Sequence, residues 1–356
     1  MINEFEFVKF NWNVSEKIKN PDYFILSIGN YFGDYSIFIE SNNNADSFLE
    51  KNGQVIKLSP KLDYNISIQN IERWCESIGI NENTTKYILL IVGPNFNHLG
   101  YTTIIENLIK ILDKMKIFNV YTIFLYPLHN IDDIETSVIV DSLMLLYKKT
   151  MRIFFIDQQL IEKRIVYNFG KKMDFYDVYK DIIKTIHLAL IKDIMYNDNI
   201  IETYKIVDIY YLYNINKQIL GNAENMLKIC FYSKTSNVVV PRNASAICIY
   251  YSSNDFTEKE VRNSIDSIYK DNEKHITLKY TRKIDDNLPM QLLIALFSET
   301  IDLSYFDLAE KYKNNLTNFK HKYTYEDVKI LFFKSDDSNN KNVIAVNTSI
   351  SPKGGV

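Results

Sequence analysis

YILLIVGPNFNHLGYTTIIENLIKILDKMKIFNVYTIFLYP, residues 87–127, holds the pattern from which the fold is read. Residues 87–92 are apolar at every position before Gly93 and Pro94 stop the run. A strand covered on one face alternates apolar with polar residues, whereas one buried on both faces does not. From 102 to 116 the apolar residues fall at 104, 105, 108, 109, 112 and 115, the spacing of one helix face. A second, mostly apolar run, 119–127, ends at Pro127, which cannot donate to a sheet ladder. Strand, helix, strand with both strands fully buried is the repeat of a parallel sheet.

The same alternation extends outward in both directions. YFILSIG (23–29) reads as a strand ending in Gly29, and a helix begins between Asp34 and Ile39. IQNIERWCESI (68–78) and the segment from Asp132 to Lys148 have helical spacing, and MRIFFID (151–157) is a further buried strand. A long helix is expected over 175–195, with apolar positions 178, 182, 183, 186, 190 and 194. After the break YNDNI, another helical stretch is expected from Tyr204 to Leu220. The second half changes character. ASAICIYYSS (244–253) is a strand and 257–271 a helix capped by Thr257. HITLKYTRK (275–283) and LPMQLLIALFSE (288–299) are strands, with VKILFF (328–333) as one more.

The expected fold class is therefore α/β: a parallel Rossmann-like sheet with flanking helices, a long central helix, and a smaller C-terminal α+β domain. The expected units are 1–173, a nucleotide-binding-type domain; 174–198, the central helix; 199–334, the C-terminal domain; and 335–356, a polar, flexible tail. In such sheets ligands bind outside the carboxyl ends of the strands. Those ends are 29–34, 93–100, 127–132 and 157–159.

Composition excludes several function classes. The formal net charge of −3 gives no global attraction to nucleic acid or to an anionic membrane. No apolar run approaches the roughly 18–20 residues that span a bilayer, and the N-terminus has no signal-peptide pattern. The three cysteines, Cys75, Cys230 and Cys248, are widely separated, which fits a reducing compartment. The expectation is a soluble cytoplasmic protein. G-x-x-x-x-G-K-[ST], G-x-S-x-G and H-E-x-x-H do not occur, and the five histidines lack metal-ligand spacing. The aromatic richness, 26 Tyr and 21 Phe alongside many Asn, Ile and Lys, is read as genomic bias rather than as a binding surface.

The strand-end loops carry the more specific signal. Ile28-Gly29-Asn30-Tyr31-Phe32-Gly33-Asp34 follows the first strand, and Asn95-Phe96-Asn97-His98-Leu99-Gly100 opens the helix of the quoted stretch. Leu125-Tyr126-Pro127-Leu128, Asp157-Gln158-Gln159 and Tyr176-Asp177-Val178 follow in order. In this succession the chain resembles the tubulin/FtsZ superfamily, with the plasmid and phage TubZ branch nearest in layout. The resemblance covers roughly residues 23–300 and rests on layout more than on identities.

The resemblance implies a GTP/GDP site with Mg2+, in which Gly29, Asn30, Gly33, Asp34, Asn95, Asn97, His98, Gly100, Pro127, Asp157, Gln158 and Asp177 stand at nucleotide-binding positions. The family's first loop, I-G-x-G-G-G-N, keeps its outer glycines here, with Tyr31 and Phe32 at inner ones. Of its G-G-T-G-S-G loop only Gly100 remains. Glycine there lets backbone N–H groups approach phosphate, and Phe, Leu and Tyr side chains crowd that approach. His98 is either a compensating donor or a histidine packed in its loop. Asp177 is either a base-reading residue or a first-turn aspartate favourable to the helix dipole. The family's N-x-D-x-x-D loop, which enters the next subunit's site, is matched by 203–209, where Asp208 is the retained catalytic carboxylate and Lys205 replaces the first Asp. A lysine acts as a base only with a strongly depressed pKa, and Asp198 or Glu202 are alternatives for the role.

The implied function is a cytoskeletal protein that assembles head-to-tail into filaments, for plasmid or phage DNA segregation through a DNA-binding adaptor, with weakened or absent GTP hydrolysis. Two alternatives stand beside it: a pseudo-GTPase of the same fold serving as a structural partner, and an unrelated Rossmann-like enzyme or small-molecule binder.

Overall fold

In the computed structural model, the described residues are 23–28, 53–58, 72–73, 75–76, 79–93, 96, 101–127, 130–158, 182, 186, 204–213, 221–230, 246–252, 256–270, 278–283, 291–301, 306–316 and 321–332. The strands are β1 (Tyr23–Ile28), β2 (Gly53–Leu58), β3 (Tyr87–Val92), β4 (Val120–Tyr126), β5 (Arg152–Asp157), β6 (Ile206–Tyr213), β7 (Ala246–Ser252), β8 (Leu278–Lys283) and β9 (Gln291–Ser298). The helices are α1 (Tyr101–Lys114), α2 (Asp133–Lys149), α3 (Ala223–Cys230), α4 (Glu258–Lys270), α5 (Phe306–Asn315) and α6 (Tyr325–Lys329).

The strands form one nine-stranded sheet in the order β2-β1-β3-β4-β5-β6-β9-β7-β8. From β2 to β6 every pair is parallel, while β9 runs antiparallel to both β6 and β7. The parallel half is the expected Rossmann-like sheet. Its direction of winding reverses at β1, which lies between β2 and β3. The β5–β6 pairing is short, Ile153↔Ile206 to Phe155↔Asp208, yet it carries the sheet across the boundary expected between the two domains.

The unbroken apolar runs are explained by burial. All six residues of β3 are buried, as are the first six of β4 and the first five of β5. α1 buries Ile104, Ile105, Leu108, Ile109, Ile111 and Leu112 against that core. It stops in a Schellman turn: Ile117 N–H donates to Leu112 O and Lys116 N–H to Asp113 O, with Lys116 left-handed at φ 58°. α2 begins at a capping box formed by Asp132 and Glu135. It is buried at every position from Glu135 to Leu146, because the sheet, α1 and α5 cover it. In the second half α3 packs on α4, and α4 on β8. The expected cap Thr257 is present, exchanging hydrogen bonds with Glu260.

Two sequence expectations are corrected. Residues 204–220 were expected to be helical, but 206–213 are strand β6. Its isoleucine, valine and tyrosine content suits a pleated, buried surface, and β5 and β9 supply the partners. VKILFF was expected as a strand, but a capping box at Thr324 and Asp327 starts α6, whose turn continues through Phe332. Strand β2 and helices α3 and α5 carried no sequence expectation. The helix expected over 175–195 lies outside the described residues except at Ile182 and Ile186, both buried. The helix expected from Asp34 and the tail 335–356 also lie outside them.

Candidate functional site

A doubly wound sheet opens a crevice where its winding reverses, at the carboxyl ends of the two strands concerned. Here those strands are β1 and β3, whose last residues, Ile28 and Val92, are in register. Val92 is level with Phe124 of β4, and Tyr126 of β4 with Asp157 of β5.

Gly93 makes the turn out of β3 at φ +99°. A Cβ there would lie 2.6 Å from Leu125 O and 2.8 and 2.9 Å from the Phe96 ring. Glycine is thus required both by the left-handed backbone and by the close approach of the next strand. Its N–H donates to Ile28 O at 3.2 Å and to the Tyr101 hydroxyl at 2.8 Å. That hydroxyl in turn donates to Ile28 O, closing a three-membered network between β1, β3 and the first residue of α1.

Above the network the space is aromatic. Phe96, fully buried, stacks on Phe124 at 5.2 Å and meets Tyr101 edge-on at 5.2 Å. Phe124 stacks on Phe155 at 5.9 Å, and Phe155 lies 5.8 Å from Tyr126. Five rings therefore run from the start of α1 across the ends of β4 and β5. Burial, with Asp157 and then Glu135 nearby, pushes the Tyr126 phenol up to about 12. The first turn of α1 has no acidic residue, and Thr102 is spent on a 3.2 Å contact with Ser142 of α2.

An anion at a helix N-terminus needs outward backbone N–H groups and room to reach them. Around Gly93 the described residues offer neither: its N–H is engaged and Phe96 occupies the adjacent volume. The Gly93 N–H is therefore not open to an anion. Of the side chains expected to crowd this loop, Phe96 and Tyr101 are described, and both are buried beside Gly93. The Tyr101 hydroxyl was missed, since its bond to Ile28 links residues 73 apart. The signal was a tyrosine at the first position of a helix where small residues are usual.

The other expected site residues distribute as follows. Pro127 is buried at the end of β4, and Asp157 is half-buried at the end of β5. Gln158 is 1% exposed, and its Nε2 has no hydrogen-bond partner among the described residues. These three share the carboxyl edge. Gly29, Asn30, Gly33, Asp34, Asn95, Asn97, His98, Gly100 and Asp177 lie outside the described residues, as do Asp198 and Glu202. Asp208 was expected in a loop and is instead in mid-strand. It is 5% exposed and registers with Phe155 on one side and Leu296 on the other. Its expected loop placement is corrected: the residue lies within β6 and is buried. Lys205, just before β6, donates to Tyr147 O at 2.8 Å, and burial lowers its pKa. Among the described residues no group of three His, Cys, Asp or Glu could hold a metal ion. No helix among them is long and apolar enough to cross a membrane.

No family model and no curated protein matches the sequence. Solved structures do match in fold. CetZ from Methanosaeta thermophila strain DSM 6194 superposes with a TM-score of 0.56 at 15% identity, covering 84% of this chain and 91% of that one. An empty FtsZ dimer from M. jannaschii gives 0.52 at 12% identity, over 80% and 90% of the chains. CetZ2 from Haloferax volcanii, a GTPγS-bound protofilament, gives 0.54 at 11% identity, over 83% and 99%. The fold is the one shared by these CetZ and FtsZ structures.

Proposed function

We propose that this chain is a self-associating scaffold of the tubulin/FtsZ fold that assembles without GTP hydrolysis. The observation that carries the reading is the packing at Gly93, where the Tyr101 hydroxyl takes the backbone N–H and the buried Phe96 ring stands beside it. Self-association is supported by the company of the fold, which includes an FtsZ dimer and a CetZ2 protofilament. Head-to-tail contacts of that kind propagate without closing.

A second reading is a GTP-dependent filament of the TubZ type that positions plasmid or phage DNA through an adaptor protein. Pro127, Asp157 and Gln158 at the carboxyl edge, with the buried Gln158 amide, favour some ligand near the ends of β4 and β5.

Titration of the purified protein with labelled GTP and GDP in magnesium, with sedimentation of the same samples, separates the two. The scaffold reading expects pelleting above a critical concentration and no dependence on nucleotide. Micromolar binding with nucleotide-dependent pelleting selects the second reading. A protein that stays small at every concentration, with or without nucleotide, rejects both.

A further inference from the structure

The chain beyond β9 folds back over the parallel half of the sheet. It leaves at Ile301, forms α5 and α6, and returns so that Ile301 N–H donates to Leu331 O at 2.6 Å. The unit enclosed by that bond lies on α2. Asn315, at the end of α5, donates to Asp133 O at the start of α2 at 3.3 Å. Near the other end of α2, Lys148 lies 3.8 Å from Asp327 of α6 and 4.6 Å over the Tyr323 ring.

Midway stands Asp141, a carboxylate 9% exposed that follows the apolar Val138–Val140 of α2. The Tyr312 hydroxyl donates to its Oδ1 at 2.6 Å, and also lies 3.0 Å from Tyr323 O. Lys322 N–H approaches Oδ2 at 3.5 Å. His321 packs edge-on against Tyr312 at 4.6 Å, with Nε2 3.0 Å from Asn315 O. The Lys322 ammonium pairs with Glu106 of α1. Asp141 is thus enclosed between two elements 171 residues apart, and faces Tyr312 from α5, His321 and Lys322 from the segment before α6, and Glu106 of α1 through Lys322.

We propose that the α5–α6 unit is a proton-sensitive latch on α2, with Asp141 as the group that sets its hold. A carboxylate desolvated by docking opposes docking when ionised and not when protonated. Burial pushes Asp141 above its ordinary range, against the lowering effect of Tyr312, His321 and Lys322. Docking therefore holds most firmly with Asp141 protonated, and its hold weakens as pH rises through that raised value. Glu106 acts in the opposite direction. Burial raises its pKa, but the hydrogen bonds from Lys322 and Lys110 outweigh this and leave it lowered. Its contribution is present above its ordinary value and lost as pH falls through the lowered one. Release uncovers a helix face built of apolar residues beside the sheet.

Hydrogen exchange on the full chain at about pH 5 and about pH 8, expressed as protection factors, reads the opening of α5 directly. The expected result is several-fold lower protection of α5 at the higher pH, with α4 as an unchanged internal reference. Asp141→Asn should equalise α5 at the two pH values, and Tyr312→Phe should lower its protection at both. Equal protection in the wild type, or a pH dependence that survives in Asp141→Asn, overturns the proposal. Should Asp141→Asn fail to fold by far-UV circular dichroism, Lys322→Gln gives the same decision. Removing the cation that favours ionised Asp141 must widen the ratio between the two pH values, and an unchanged ratio overturns the latch.

Discussion

Replacing Gly93 by alanine adds one methyl group where the structure leaves no volume. The new Cβ would stand 2.6 Å from a backbone oxygen, Leu125 O, and under 3 Å from two carbons of Phe96. The backbone oxygen cannot yield, because β4 is held by β3 and β5 on either side. The left-handed φ adds about 1–2 kcal/mol for any L-residue, and forced overpacking about 1–3 kcal/mol. Alanine recovers about 0.4–1 kcal/mol by restricting the unfolded chain. The net loss is about 2–4 kcal/mol. With about 2.1 cal/mol/K of unfolding entropy per residue, a chain of this length loses about 1.3 °C per kcal/mol, so the melting temperature falls by about 3–5 °C. Gly79 is the control. It has a similar φ of +93°, but a Cβ there meets nothing within 4 Å. Gly79→Ala should therefore cost only the backbone part. Thermal and urea unfolding of the two variants side by side isolate the steric part, and equal losses would refute the packing of Phe96 and β4 against Gly93.

Tyr101→Phe removes the hydroxyl that joins Gly93 to Ile28 and should cost about 1–2 kcal/mol, since the direct Gly93–Ile28 bond remains; the urea midpoint checks it. Asp208→Ala, in mid-strand and buried, should lower stability by about 1–3 kcal/mol, with any fall in assembly following the fall in melting temperature. Unchanged stability with altered assembly would return Asp208 to a contact role. Asp132→Ala breaks the capping box that starts α2 and should cost about 0.5–2 kcal/mol, seen as a lower melting temperature. GTP or GDP at about 1 mM should leave the melting temperature where it was, whereas a ligand at about 100 times its Kd would add about 2.7 kcal/mol.

Much of the fold is legible because a parallel sheet covered on both faces leaves its mark as unbroken apolar runs. Residues 87–92, 123–126 and 153–156 carry that mark, and the helix at 101–114 carries the helical spacing instead. β6 was misread for a physical reason. Ile206, Ile209, Tyr210 and Tyr213 fall at helical spacing as well as on a strand, and period alone does not choose between the two. What chooses is pairing with β9, which lies some eighty residues further along the chain. The error at VKILFF is of the opposite kind. Val328, Leu331 and Phe332 are buried while Ile330 is exposed, which is helical, and the cap that announces it lies upstream at Thr324. At the site, loss of the glycines was visible in the sequence, and the one described replacement, Phe96, is a buried ring. The string does not show that Phe96 turns inward onto Phe124, because stacking joins β4 to a residue on another loop. Nor does it show a tyrosine hydroxyl accepting from one strand end and donating to another.

That hydroxyl bears on why the fold persists with a filled crevice. A winding reversal leaves strand-end donors and acceptors of two neighbouring strands facing a gap, and buried groups of that kind need partners. In a ligand-binding protein the ligand supplies them, so stability rises with ligand concentration. Here one side chain accepts from Gly93 N–H and donates to Ile28 O, and the buried Phe96 ring packs beside Gly93. Both partners are covalently part of the chain, so the stabilisation does not vary with any solute. A scaffold built this way loses the timing that hydrolysis gives a polymer. Its assembly must instead follow protein concentration, a partner, or a second device in the fold such as the carboxylate enclosed beneath α5.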